Sequence, residues 1–294
     1  MFKSAVRYSC LLLALLSTLA QAQQNRFDEW NQAVQPFQIY GNSYYVGVKG
    51  LSAVLVTSPQ GHILIDGDLP ASPQRIAASI RALGFKVEDV KLILNSHTHF
   101  DHAGGIAELQ RMSGAAVAAS PSSALALEQG MPVKADPQFA DAHGFAPVPN
   151  VRRIRDGETV SVGPLMLTAH FTPGHTPGGT SWTWRSCEAE RCADIVYADS
   201  INPISSDGFR FSDSTVYPTV LADFERSFRV LNGLPCDVLV TVHPGGSAMW
   251  ERLAQAGGKP HALMGDGTAC KAMVNEVRGA LRDRLAQERQ QVVK

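Results

Sequence analysis

The chain has 294 residues, 45% of them hydrophobic and 18% charged, with 26 basic against 27 acidic side chains. That length is enough for one large core or two fused halves. A formal charge of −1 offers no basic surface for phosphate backbones, so nucleic acid is excluded as the expected partner.

The first element is a leader. Lys3 and Arg7 precede the apolar run Cys10 to Leu16, and the segment closes on Ala20-Gln21-Ala22, the pattern of a secretory signal peptide over residues 1–22 cut after Ala22. The apolar run is well short of the roughly 20 residues that a bilayer span needs. No second long apolar run follows, so the expectation is a soluble, periplasmic protein without membrane insertion. The leader carries two basic and no acidic residues, so its removal takes the formal charge from −1 to −3. It leaves residues 23–294, expected as a single domain. Four of the five Cys remain, and an even count in an exported chain points to disulfides before a thiolate metal site. Cys187 and Cys192 bracket a short polar turn, as in a pinned hairpin.

Beyond the leader, strand-like runs at Ser52 to Thr57 and His62 to Asp66 flank the turn Ser58-Pro59-Gln60-Gly61 and predict a hairpin. Ser72 as cap, Pro73 at the first helical position and Gly84 past the end delimit a helix with Ile76, Ile80 and Leu83 on one face. The apolar strand Lys91 to Asn95 follows, then a helix from about Gly105 to Met112 stopped by Gly114. Helix and strand alternate to about Leu127. Residues Gly130 to Asn150 are rich in turn-formers and predict either a plain crossover or a loop overhanging the site. From Thr159 the pattern restarts with β-rich segments, a helix around Leu221 to Leu231, the strand Asp237 to Val242 and a C-terminal helix from about Cys270 to Gln290. The element order of the two halves is similar. The architecture expected is an αββα sandwich, with the site at one edge where the halves meet.

Between strand and helix lies Ser96-His97-Thr98-His99-Phe100-Asp101-His102. A lone His there would be read as a cap or a solvated side chain, but three imidazoles and a carboxylate in six positions are a metal site. Imidazole nitrogen and carboxylate oxygen are zinc ligands, and an i, i+2 His pair on an extended loop can point two rings at one ion. Asp101 and His102 follow too closely to serve that same ion, so a second ion beside the first is expected. Paired ions suggest hydrolysis. His175, in Thr172-Pro173-Gly174-His175-Thr176-Pro177-Gly178, and His243, after Val238 to Val242, each emerge where a buried strand ends, which is where layered α/β sheets assemble sites.

These segments resemble the metallo-β-lactamase superfamily, and from about Gln35 to Cys270 the chain resembles the third subclass of class B β-lactamases. The carrying motifs are the HxHxDH run, Thr168-Ala169-His170-Phe171, Gly174 to Gly178, Tyr197-Ala198-Asp199-Ser200, Leu234 to Leu239 and His243-Pro244-Gly245. The resemblance implies that His97, His99 and His175 hold one zinc ion and Asp101, His102 and His243 a second. It implies attack on the β-lactam carbonyl by a shared hydroxide, with Asp101 as the catalytic anion and no covalent intermediate. No Ser-x-x-Lys run of the serine β-lactamases occurs. Ser200 stands where other subclasses carry a Cys ligand, so Ser200 and Asn202 are expected to bind the substrate carboxylate, with loop shaping as the alternative. A Cys236–Cys270 disulfide is also the family's pairing.

Asp199 lies near the bridging Asp of glyoxalase II and many lactonases, but the motif alignment leaves it behind the ligands, together with Asp66 and His170. His62, His143 and His261 are expected to be solvated or capping. A thioesterase or lactonase on the same fold is the nearest rival function, and an inactive secreted zinc-binding protein is a remote one. A monomer is the default expectation.

Overall fold

The computed structural model describes residues 25–259 and 261–292; the leader expected over 1–22 lies outside the described residues. Short apolar strands bounded by turns build two sheets. The first is seven-stranded and runs in sequence order: β1 (Phe37–Tyr40), β2 (Ser43–Tyr45), β3 (Val54–Val56), β4 (His62–Ile65), β5 (Val90–Leu94), β6 (Ala116–Ala119) and β7 (Arg152–Arg153). Tight turns make β1 to β4 antiparallel, whereas helical crossovers make β4 to β7 parallel. The second sheet has the order β12-β11-β10-β9-β8, from β8 (Thr159–Val162), β9 (Leu165–Phe171), β10 (Thr180–Glu188), β11 (Arg191–Ala198) and β12 (Val238–Thr241). Only its β11–β12 pair is parallel, joined across a helix.

The apolar side chains sort these elements into layers. Ile63, Ile65 and Leu94 of the first sheet pack with Leu167, Trp182 and Val240 of the second in the central core. The opposite face of the first sheet, Leu64 and Ile93, packs on α1 (Pro73–Ala82), α3 (Ile106–Ser113) and α4 (Pro121–Gln129) through Ile76, Ile80, Leu109 and Leu127. Val196 and Leu239 face α5 (Val220–Gly233) and, after α6 (Met249–Ala256) in the chain, α7 (Ala269–Val292) through Phe224, Phe228 and Val274. The order is helix, sheet, sheet, helix: the sandwich expected from the sequence. Among the described residues no helix is long and apolar enough to cross a membrane.

Both disulfides form. Cys187–Cys192 closes the β10–β11 hairpin and Cys236–Cys270 ties the start of β12 to α7. Two local expectations change. Ser72 does occupy the N-cap of α1, but its hydroxyl donates to Asn31 Oδ1 at 2.8 Å instead of capping the helix. His62 is buried, not solvated, because it opens a strand whose four residues are all buried, and its ring meets Phe85 edge-on. Burial lowers its pKa and keeps it neutral.

Candidate metal centre

β5 ends at Leu94, and His99 is extended (φ −74°, ψ 150°) where the chain turns into α2 (Phe100–Ala103). The extended step places His97 and His99 on one side, with His97 Nε2 3.2 Å from His99 Nδ1. The helical turn carries Asp101 and His102 away from them. The strand end is pinned from below by buried Asp66, which accepts from the Ser96 amide (2.8 Å), the Ser96 hydroxyl (2.6 Å) and the Tyr197 hydroxyl (2.8 Å). Burial raises the Asp66 pKa to about 7 against the pull of these donors. Trp182 Nε1–H donates to Asn95 O at 3.1 Å and joins the second sheet to the same strand end.

His175 arrives from the β9–β10 turn. Gly174 before it has φ +135°, and a Cβ there would lie 2.7 Å from the Phe224 ring, so both backbone and space require glycine. His243 follows β12. Two groups of three potential ligand atoms then lie within 4.8 Å of one another: His97, His99, His175, and Asp101, His102, His243. The six residues picked from the sequence are therefore the ones that converge, and in the same two sets.

Hydrogen bonds fix which ring nitrogen is free in four of the five His. His97 Nδ1–H donates to Asp199 Oδ1 (2.6 Å), His175 Nδ1–H to the Asn202 carbonyl (2.8 Å) and His243 Nδ1–H to the Gly50 carbonyl (3.1 Å). His99 is reversed: its Nε2–H donates to both oxygens of Asp136 at 3.1 Å. His97 Nε2 and His99 Nδ1 are thereby left as lone pairs facing each other. His243 Nε2, freed in the same way, lies 3.2 Å from His102 Nε2, and each of these atoms is 3.5 Å from Asp101 Oδ2; among the described residues His102 Nδ1 has no hydrogen-bond partner. Facing lone pairs repel unless a cation lies between them, so the donor set fits two metal ions. Burial and neighbouring imidazoles lower the pKa of His102 to about 3 and of His175 to about 4, which keeps both neutral as ligands must be. For His99 burial pulls downward, but the charge and hydrogen bond of Asp136 prevail and raise it. Burial works against ionisation of Asp101, yet the surrounding imidazoles hold its pKa below the ordinary value.

The clusters floor a cleft of about 890 Å³, within the range of small-molecule sites. Ser200 and Asn202 line one wall beside exposed Ile204, and Phe27, Trp30 and Phe100 line another. Among the described residues Arg26 is the only Lys or Arg in the lining. Asn202 has a role the sequence did not suggest, because its carbonyl orients His175. Asp199 does not line the cleft; it backs His97. His170 is not an orienting residue. It bonds Thr183 Oγ1 at 2.8 Å across β9 and β10, because its strand position directs it there. His143 lines the cleft instead of lying apart, packed between Phe27 and Phe100, and His261 is paired with Glu188 at 2.7 Å.

Asp136 is the functional residue that sequence reasoning missed. It lies in the 130–150 connection, which forms a wall of the site: Pro132, Gln138, Asp141 and His143 all line the cleft. Nothing local marks Asp136 among the turn-formers; only the fold brings it to His99.

Residues 46–255 match the metallo-β-lactamase superfamily model. Among solved structures, the chain superposes on the Rm3 metallo-β-lactamase with a TM-score of 0.88 at 56% identity, covering 90% of this chain and 98% of that one. It superposes on MEM-A1, a subclass B3 metallo-β-lactamase isolated from a soil metagenome library, with a TM-score of 0.87 at 50% identity over 89% and 99% of the two chains. For MIM-1 from Novosphingobium pentaromativorans the TM-score is 0.84 at 43% identity over 89% and 93%. A hydroxyacylglutathione hydrolase of Rhodopseudomonas palustris (strain HaA2) is 31% identical over 144 residues, 49% of this chain and 47% of the relative. The chain thus spans about half the length of the curated relatives it matches. With both ligand sets in place and the whole fold shared, the chain belongs to the metallo-β-lactamase superfamily, alongside its subclass B3 members.

Proposed function

We propose that this protein hydrolyses the β-lactam ring of penicillins, cephalosporins and carbapenems with two zinc ions, and so confers antibiotic resistance. The observation that carries the reading is the pair of ligand triads on the cleft floor, with Ser200 rather than Asp199 facing the substrate space. His97, His99 and His175 would hold one zinc, and Asp101, His102 and His243 the other. When bound, the ions supply Lewis acidity, bringing the pKa of a water to about 7 and stabilising charge that develops on carbonyl oxygen and departing nitrogen.

The chain's own residues do the rest. The hydrogen bonds to Asp199, Asp136, Asn202 and Gly50 fix four of the five ligand rings, so little reorganisation is left for the reaction. Asp101 contributes the anion of its triad. The Ser200 hydroxyl and the Asn202 side-chain amide would bind the substrate carboxylate from the cleft wall, while Phe27, Trp30 and Ile204 would offer apolar contact to its substituents. The site is complete within one chain, which supports a monomer. The disulfides support export to the periplasm by a leader over residues 1–22, and residues 23–294 act as one domain.

The test is a substrate panel. The zinc-loaded protein should open a carbapenem and a cephalosporin, lose that activity on chelation, and ignore clavulanate. Preference for a glutathione thioester or a lactone over every β-lactam would assign it to the thioesterase or lactonase reading that the curated relatives suggest.

A further inference from the structure

The six ligands are not equally held. The His97 side chain is fully buried and that of His102 is 1% exposed, whereas that of His243 is 36% exposed. An exposed imidazole has few neighbours to lock its rotation, so whatever touches His243 decides where its Nε2 points.

Two groups do. Gly50 O accepts from His243 Nδ1–H, and the Trp30 indole stands against the imidazole with centroids 5.2 Å apart. These groups form one unit. The Gly50 amide donates to Trp30 O at 2.9 Å, the Lys49 amide to Gln32 O at 2.9 Å, and a Cβ on Gly50 would lie 2.5 Å from Trp30 Cδ1. The N-terminal arm is thus seated on Gly50 without a gap, with the indole on one side of that residue and the imidazole bonded to its carbonyl. Ser72 fastens the arm through Asn31, and Phe27 meets Phe100, the residue between His99 and Asp101, edge-on at 4.9 Å.

We propose that Trp30 is a positioning residue for the second metal position, holding His243 so that its Nε2 faces His102 and Asp101. The proposal rests on the two-zinc reading above. Among the described residues the ring contacts of Trp30 are with Phe27, Arg26 and His243, whereas His97 and His175 are oriented by Asp199 and Asn202. The effect of Trp30 is therefore selective.

The experiment isolates each position. In a His175→Ala background the second triad is left intact, and in a His102→Ala background the first is. Zinc dissociation constants are measured in both backgrounds by competition with a chromophoric chelator. Trp30→Ala should weaken zinc about 10- to 100-fold in the His175→Ala background, the usual scale for losing a group that orients a ligand, and leave the His102→Ala background unmoved. Trp30→Phe keeps a flat ring on the imidazole and should restore most of the affinity. Equal weakening in both backgrounds, or none in either, overturns the proposal. Absence of zinc binding in both backgrounds overturns the two-zinc reading and the proposal with it. Should Trp30→Ala fail to fold by circular dichroism, Trp30→Leu, which keeps bulk without a flat face, takes its place and should show the same selective weakening.

Discussion

At the scale of single residues, Asp101 and the Asp199–Ser200 pair carry the most information. Asp101 Oδ2 is the one anionic atom facing His102 Nε2 and His243 Nε2. Asp101→Asn keeps the shape and removes the charge, so the protein should retain one zinc firmly and lose turnover by well over the roughly 10- to 100-fold typical of orienting groups. Metal analysis with steady-state kinetics reads both. Ser200→Ala should leave two zinc ions in place and lower kcat/KM by the roughly 0.5–3 kcal/mol of one or two hydrogen bonds to a charged group. Asp199→Asn should also retain two zinc ions, with weaker affinity at His97. One zinc in Asp199→Asn together with a silent Ser200→Ala would instead mark a bridging aspartate and the glyoxalase type of site.

At the scale of elements, the sequence was legible where chemistry is local. Three His and an Asp in six positions name a site without help from the fold, and His175 and His243 are found because each ends a buried strand. Asp136, Trp30 and Gly50 are different: their partners lie 37, 213 and 193 positions away along the chain, and neither periodicity nor motif links them. Asp136→Asn tests the first of these links. Removing the carboxylate takes away what raises the His99 pKa, so in zinc-free protein that pKa should drop on NMR titration. Zinc affinity near neutral pH should fall about 10- to 100-fold.

A second element lacks any local signal. Glu288 on α7 is 2% exposed, and its carboxylate accepts from the Phe211 amide (3.0 Å), the Ser212 amide (2.9 Å) and Arg284 Nε (2.9 Å). Burial disfavours its charge, but these donors prevail and lower its pKa. The stabilisation is therefore complete above the ordinary Glu value of about 4.3 and is lost as pH falls through the lower folded value. Glu288→Ala should cost about 2–4 kcal/mol by leaving buried donors without an acceptor. Urea midpoints should show it above pH 5, with the gap to the parent narrowing in acid.

At the scale of the whole molecule, the sandwich explains why the ligands come from separated stretches. His97, His175 and His243 follow β5, β9 and β12, strands of two sheets packed through one core, so their ends meet at one edge. The order of layers was legible from alternating strands and helices, because each face must be buried against something. The walls of the cleft were not, since they are built by the N-terminal arm and the 130–150 connection, whose sequences carry no period. The central claim is that hydrolysis depends on two metal ions held by these triads and proceeds without a covalent enzyme adduct. Its most direct test is to titrate zinc into metal-free protein while following carbapenem hydrolysis, with intact mass recorded during turnover. Activity should be absent without metal, require up to two zinc ions per chain, and leave the protein mass unchanged by substrate. Full turnover by metal-free protein, or a mass increase equal to an acyl group, would contradict it.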